Sequence, residues 1–232
     1  MQIAICYFGL TRSTRKVYQT HHELLFAPLR GAGHSIDIYM HTWRTDAPCV
    51  WWTPSPPLDY EEYKLLEPGT YKIEVQSEFT ATLDFGQLFN EEVYRTVGDC
   101  PEGEWHPHLI FNHMCALESQ KRSFQMAQAS GIAYDHVIFV RPDVRLQVAF
   151  DPAWLSSPYS IIIPDVDHFY GLNDRFAVIP FMAAAFYACR VDEIAEFRKS
   201  NGRIVSEKYV KFIIDKYYGK ETQVTFPFEL VR

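Results

Sequence analysis

Basic charge is scarce in this chain. Its 22 Lys and Arg stand against 29 Asp and Glu, a formal net charge of −7. Nucleic acid and anionic membranes need a basic face, so neither is expected as a general partner, and only local basic patches stay open. No stretch approaches the roughly 18–20 apolar residues of a membrane span. The opening MQIAICYFGL lacks a basic n-region and meets polar TRSTRK at once, which reads as a strand and not as a signal peptide. Five cysteines (Cys6, Cys49, Cys100, Cys115, Cys189) are odd in number, scattered and without a CxxC. That argues against a disulfide framework or zinc knuckle and predicts reduced thiols in a soluble, cytoplasmic protein. Internal repeats, low-complexity tracts, a Walker A, a GxGxxG and a GxSxG elbow are also missing.

What is present is a globular composition: 47% hydrophobic and 22% charged over 232 residues, enough for one substantial core. IAICYF (3–8) reads as a buried strand. Gly9 allows a turn, and a helix follows with Val17, His21, Leu24, Leu25 and Leu29 near one face, capped by Thr11, Ser13 or Thr14 and ended by the GAG at 31–33. SIDIYMHTW (35–43) alternates as a strand. Strand, helix, strand predicts a parallel sheet. Further strands are expected at 70–77, 137–146, 160–164, 175–179 and 222–228, with helices within 83–97 and over 109–131, 151–155, 180–202 and 206–219. The reading is a single α/β, Rossmann-like domain over 1–232, its mostly parallel sheet flanked by helices.

Several stretches carry possible chemistry. YFGLTRSTRK joins a strand end, a glycine and a helix N-terminus to Arg12, Arg15 and Lys16. An anion suits that place, since free N–H groups and the macrodipole attract one; a solvated basic turn is the plain alternative. His41 and Trp43 close the second strand, where they can meet a base or ribose or simply pack an edge. In VIFVRPDVRL (137–146) a core strand ends on Arg141, Pro142 and Asp143. Asp143 suits a divalent cation holding a diphosphate, with Arg141 as charge partner; an exposed ion pair at a turn, worth about 0–1 kcal/mol, looks the same in sequence. PDVDHFYGLNDRF (164–176) sets Asp165, Asp167, His168, Asp174 and Arg175 after an apolar strand. It is either a solvated acidic loop or a site in which Asp174 deprotonates a hydroxyl. Trp51 and Trp52, with Tyr60, suit sugar stacking or a protein contact. His106, His108 and His113 raise a metal-dependent hydrolase as an alternative function, and the tryptophan loop a non-catalytic carbohydrate- or nucleotide-binding module.

Taken together, YFGLTRS, IDIYMHTW, ESQKRSF…YDHVIFVRPDVRL, GLNDRFAV and SEKYV…VTFPFELVR resemble the GT-A-type glycosyltransferases of surface and capsular polysaccharide synthesis, with bacterial, algal and large-DNA-virus members. The resemblance leaves out residues 44–105. It implies a nucleotide-diphospho-sugar donor on a half spanning 1–145, with 44–105 as a variable insertion, and a carbohydrate acceptor on 146–232. Donor contacts fall to Phe8, Gly9, Arg12, His41, Trp43, Arg141 and Asp143. Acceptor contacts fall to Trp51, Trp52, Asp165, Asp167 and His168, and the reacting centre to Asp174 and Arg175. Where the family commonly has Asp-x-Asp, this chain has Arg141-Pro142-Asp143, so a metal role (Mn²⁺ or Mg²⁺) carries over to Asp143 alone.

Overall fold

Ile3, Ile5 and Tyr7 face one hydrophobic core and Ala4, Cys6 and Phe8 face another, all six buried. A strand whose two faces are both covered reads as a continuous apolar run, as this one does. In the computed structural model, which describes residues 1–45, 58–89, 107–200 and 203–231, this strand is β1 (Gln2–Phe8). The elements α1 (Thr14–His21), a π-helical turn at His22–Phe26, and α2 (Ala27–Gly31) follow as one rod. Pro28 brings no N–H to the helix, and the widened turn lies just before it.

Then come β2 (Ser35–Arg44), β3 (Thr70–Val75), α3 (Gln76–Thr80), α4 (Phe85–Leu88) and the long α5 (Pro107–Ala129). The second part holds β4 (His136–Val140), β5 (Val144–Leu146), β6 (Ile162–Pro164), β7 (Phe176–Pro180), α6 (Ala184–Ala188), α7 (Ile194–Lys199), α8 (Ser206–Tyr217), β8 (Thr222–Val224) and β9 (Phe228–Leu230).

Seven strands make one mixed sheet in the order β3-β2-β1-β4-β7-β6-β8, and β5 pairs with β9 beside it. β1, β2, β3 and β4 are mutually parallel, β6 and β8 are parallel, and β7 runs against both of its neighbours. The sheet is therefore mostly parallel, as expected, with one reversed strand. Leu25, Phe26 and Leu29 cover one face; α5, α6 and α8 cover the other through Phe124, Ala127, Tyr187, Val210 and Ile214. The expected final strand at 222–228 is instead two short strands in different sheets, parted at Pro227.

The chain leaves β1 toward β2 on one side, while β4 joins β1 on the other. That reversal is the switch point at which open α/β sheets leave a crevice at the carboxyl ends of their strands. Because β7 is reversed, its start lies beside the end of β4: Val140 registers with Phe176, and Arg141 N–H donates to Arg175 O at 3.1 Å. β6 ends at the same edge, so the loop at 165–175 belongs to it.

Candidate active site

Gly9 turns the chain off β1 with φ +95°, a conformation that an L side chain strains to adopt, and its N–H donates to Ser119 Oγ on α5. Arg12 is carried across the switch point to Asp143, where its Nη2 donates to Oδ2 at 3.1 Å. Arg141 grips the same carboxylate with two bonds, Nε to Oδ1 at 2.9 Å and Nη2 to Oδ2 at 2.7 Å. Val231 N–H closes on the Asp143 carbonyl at 2.9 Å. Asp143 is 0% exposed. Burial alone would raise its carboxyl, but Arg141 and then Arg12 hold it down at about 2. The charge cluster in RPDV is thus a buried, fork-shaped anchor between two strand ends.

The reacting centre expected at Asp174 and Arg175 lies on the same edge, and a residue that sequence reasoning passed over joins it. Glu207, in the first turn of α8, is 3% exposed. Arg175 faces three carboxylates: Asp167 at 2.6 Å, and Asp174 and Glu207 at 3.8 Å each. Ser206 Oγ donates to Glu207 Oε2 at 2.9 Å. Burial and the Asp174 charge push the Glu207 carboxyl up to about 8. Burial opposes ionisation of Asp174 too, yet Arg175, Arg141 and His113 hold it below the usual aspartate range. The two carboxyls on Arg175 are thus pushed in opposite directions, Asp174 toward the ionised form and Glu207 toward the protonated one. SEKYV gave no sign of this: an acid in a first helical turn is ordinary.

Asn173, also passed over, organises the loop. Its Oδ1 accepts from Arg175 and Phe176 N–H at 2.8 and 3.2 Å, and its Nδ2 donates to Val166 O at 2.8 Å. His168 Nδ1 accepts from Asn173 N–H at 3.1 Å, and its Nε2 lies 3.2 Å from Asp165.

The remaining expected donor residues lie close by but are occupied. Phe8 packs into the core. His41, in register with Phe8, is buried between Ser119 Oγ at 2.9 Å and Glu74 Oε2 at 3.0 Å, and burial lowers its pKa to about 4. Trp43 is buried, donates to Cys115 O at 2.8 Å, and stacks on Phe79 at 5.4 Å with Arg122 at 4.9 Å. Arg15 is tied to Asp59 and Glu62, and Glu62 also accepts from Arg15 N–H at 3.0 Å. The anion that the basic first turn calls for is in part supplied by the chain itself.

Tyr60 is bound to both polar groups of the Thr45 backbone. Trp51, Trp52 and His106 lie outside the described residues. His113 is buried edge-on to Tyr209 while His108 is exposed, so these two do not build a common metal site. Among the described residues no three His, Cys, Asp or Glu stand together as metal ligands. The hydrolase alternative is accordingly not favoured. Asp143 does not fit a cation either: both of its oxygens are already held by guanidinium groups. Cys6, Cys115 and Cys189 are free thiols, and no helix among the described residues is long and apolar enough to cross a membrane.

No family model matches the sequence, and no curated protein matches it. Among solved structures the chain is similar to the galactosyltransferase LgtC in complex with donor and acceptor sugar analogues, at 9% identity, TM-score 0.46, 96% of this chain and 73% of that one. It is also similar to mouse xyloside xylosyltransferase 1, apo form, at 11% identity, TM-score 0.41, 97% of this chain and 83% of that one. Both likenesses are too distant to define this chain.

Proposed function

We propose that the chain is a GT-A-type glycosyltransferase that moves a sugar from a nucleotide-diphospho-sugar to a carbohydrate hydroxyl in glycan synthesis. The observation that carries the reading is the convergence of Arg12, Arg141 and Arg175 with the Asp174/Glu207 carboxyl pair at the switch point of the sheet. Glycosyl transfer from such a donor needs positive charge where the diphosphate leaves and a base where the acceptor hydroxyl attacks. Arg12, in the turn after β1, and Arg141, just past β4, serve the first need, with Asp143 holding their forks in place. Asp174, kept ionised, serves the second, and Glu207 retains the proton that would otherwise be contested between them.

Run as a single inverting displacement, the acceptor oxygen bonds to the anomeric carbon and its proton passes to Asp174. The bond to the diphosphate breaks, and its electron pair leaves with the phosphate beside Arg12 and Arg141. No step is routed through a metal ion. In this reading residues 1–145 bind the donor and 146–232 the acceptor.

A thermal-shift screen tests it. UDP, GDP, CDP and dTDP, and their common sugars, are each added with and without Mn²⁺. One nucleotide, at about 100 times its dissociation constant, should stabilise the fold by about 2.7 kcal/mol, with or without the cation. Silence from all four nucleotides would remove the transferase reading.

A further inference from the structure

The loop between β6 and β7 holds two aromatic rings outside the fold against the preference of its own backbone. Asp167, Phe169 and Tyr170 take left-handed φ angles of 53°, 35° and 69°, a region bulky side chains avoid. Phe169 is 54% exposed and Tyr170 71%. The loop is not slack. Asp165 N–H donates to Val224 O at 2.8 Å, Gly171 N–H to His168 O at 2.7 Å, and Leu172 N–H to Glu207 O at 2.9 Å. Strained, pinned and exposed together describe a surface kept for a ligand, since strain of this kind persists only where the surroundings enforce it.

The chemistry around the rings selects the ligand. Arg175, which pairs with Asp167 and lies beside Asp174, sits 5.7 Å from the Phe169 centroid, so the Phe169 ring adjoins the reacting centre, with Tyr170 next to it in the chain. Their rim is acidic: Asp165 is 61% exposed and Asp167 36%. Carboxylates repel a phosphate and accept hydrogen bonds from hydroxyls. An apolar ring face edged by hydroxyl acceptors matches a pyranose, with one apolar face and a hydroxyl girdle. A membrane surface would call for basic residues here instead. We propose that Phe169 and Tyr170 are the stacking platform for a neutral sugar ring of the acceptor, with Asp165 and Asp167 taking its hydroxyls. The inference rests on the glycosyl-transfer reading for the word acceptor, and on the loop alone for the sugar.

Saturation-transfer NMR on the full chain, with the methyl glycosides of glucose, galactose, mannose, xylose and fucose as probes, is the test. At least one glycoside should receive saturation from aromatic protons. Binding should weaken about tenfold in Phe169→Ala and in Tyr170→Gly, and persist in Tyr170→Phe. Glycine tolerates φ 69°, so Tyr170→Gly should melt no lower than the wild type, which separates lost stacking from lost folding. In turnover, the alanine variant should raise the acceptor KM by more than it lowers kcat.

A wild type that takes up none of the five glycosides, or variants that bind as the wild type does, would overturn the platform. The two readings fail separately. Sugar binding lost in the variants without any nucleotide shift would keep the platform as a sugar site and remove the transferase. A nucleotide shift with glycoside binding indifferent to both rings would do the reverse.

Discussion

Asp143 has both carboxylate oxygens on arginines, and this settles what kind of residue it is more firmly than its neighbours in sequence do. A strand that ends in Arg-Pro-Asp can be an exposed turn, a metal ligand or an anchor, and all three look alike as letters. The difference lies in Arg12, 131 residues away along the chain, and in burial, neither of which a local pattern carries. Asp143→Asn should therefore act first on folding. It leaves two partly buried guanidinium groups without their counter-charge, which costs about 3 kcal/mol or more. Urea denaturation should show the midpoint fall accordingly; an unchanged midpoint would mean that the anchor carries no load. The same pairing predicts acid sensitivity. A carboxylate held at about 2 gives stability that is complete above its unfolded pKa, near 3.9, and is lost as pH falls through about 2.

The elements that could be read in sequence were those with a strict local period. β1, β2, β4 and α5 were all visible, because a run with both faces buried, or a long segment free of Gly and Pro that ends at a glycine, leaves its mark within ten to twenty residues. The reversal of β7 was not, since strand direction is fixed by connections and not by side-chain pattern. Nor was the break at Pro227, where two three-residue strands are too short to show a period. Asp174 and Arg175 stood out as charges opening an apolar run. Glu207 and Asn173 did not, because each acts on residues brought beside it by packing. Gly171 shows how tightly the β6–β7 loop seats on α8. A Cβ built there would stand 2.0 Å from the Glu207 carbonyl oxygen and 2.4 Å from Lys208 N. Gly171→Ala should lift the loop, at a cost in the 1–3 kcal/mol range usual for overpacking. Because Asp174 and Arg175 follow within four residues, it should also lower turnover more than its loss of stability alone explains. Comparing kcat at a temperature where both proteins are fully folded separates the two effects.

For the molecule as a whole, buried titratable groups set a pH optimum of stability with two independent limbs. Glu207 has a raised pKa in the fold. Its contribution is therefore complete below the unfolded carboxyl value and is lost as pH rises through about 8. His21, His41 and His113 go the other way. Burial holds them neutral, down to about 4, 4 and 3, so their contribution is complete above about 6.5 and is lost as pH falls toward those values. Near neutral pH the two tendencies cancel: one proton released by Glu207 above, up to three taken up by the histidines below. Stability should peak there and decline on both sides, more steeply on the acid side. Glu207→Gln keeps a neutral side chain of nearly the same shape beside Asp174, Arg175, Arg141 and Ser206. It should steepen the acid limb, where the Glu207 proton otherwise offsets those of the histidines, and flatten the alkaline one between pH 7 and 8. The difference is on the order of 1 kcal/mol, or about 2–4 °C in melting temperature for a chain of this size. Melting curves of both proteins from pH 5 to 8.5 decide it. If the wild type shows no alkaline decline, or the variant keeps one of the same size, Glu207 is ionised in the fold and does not hold the proton that leaves Asp174 free to act as base.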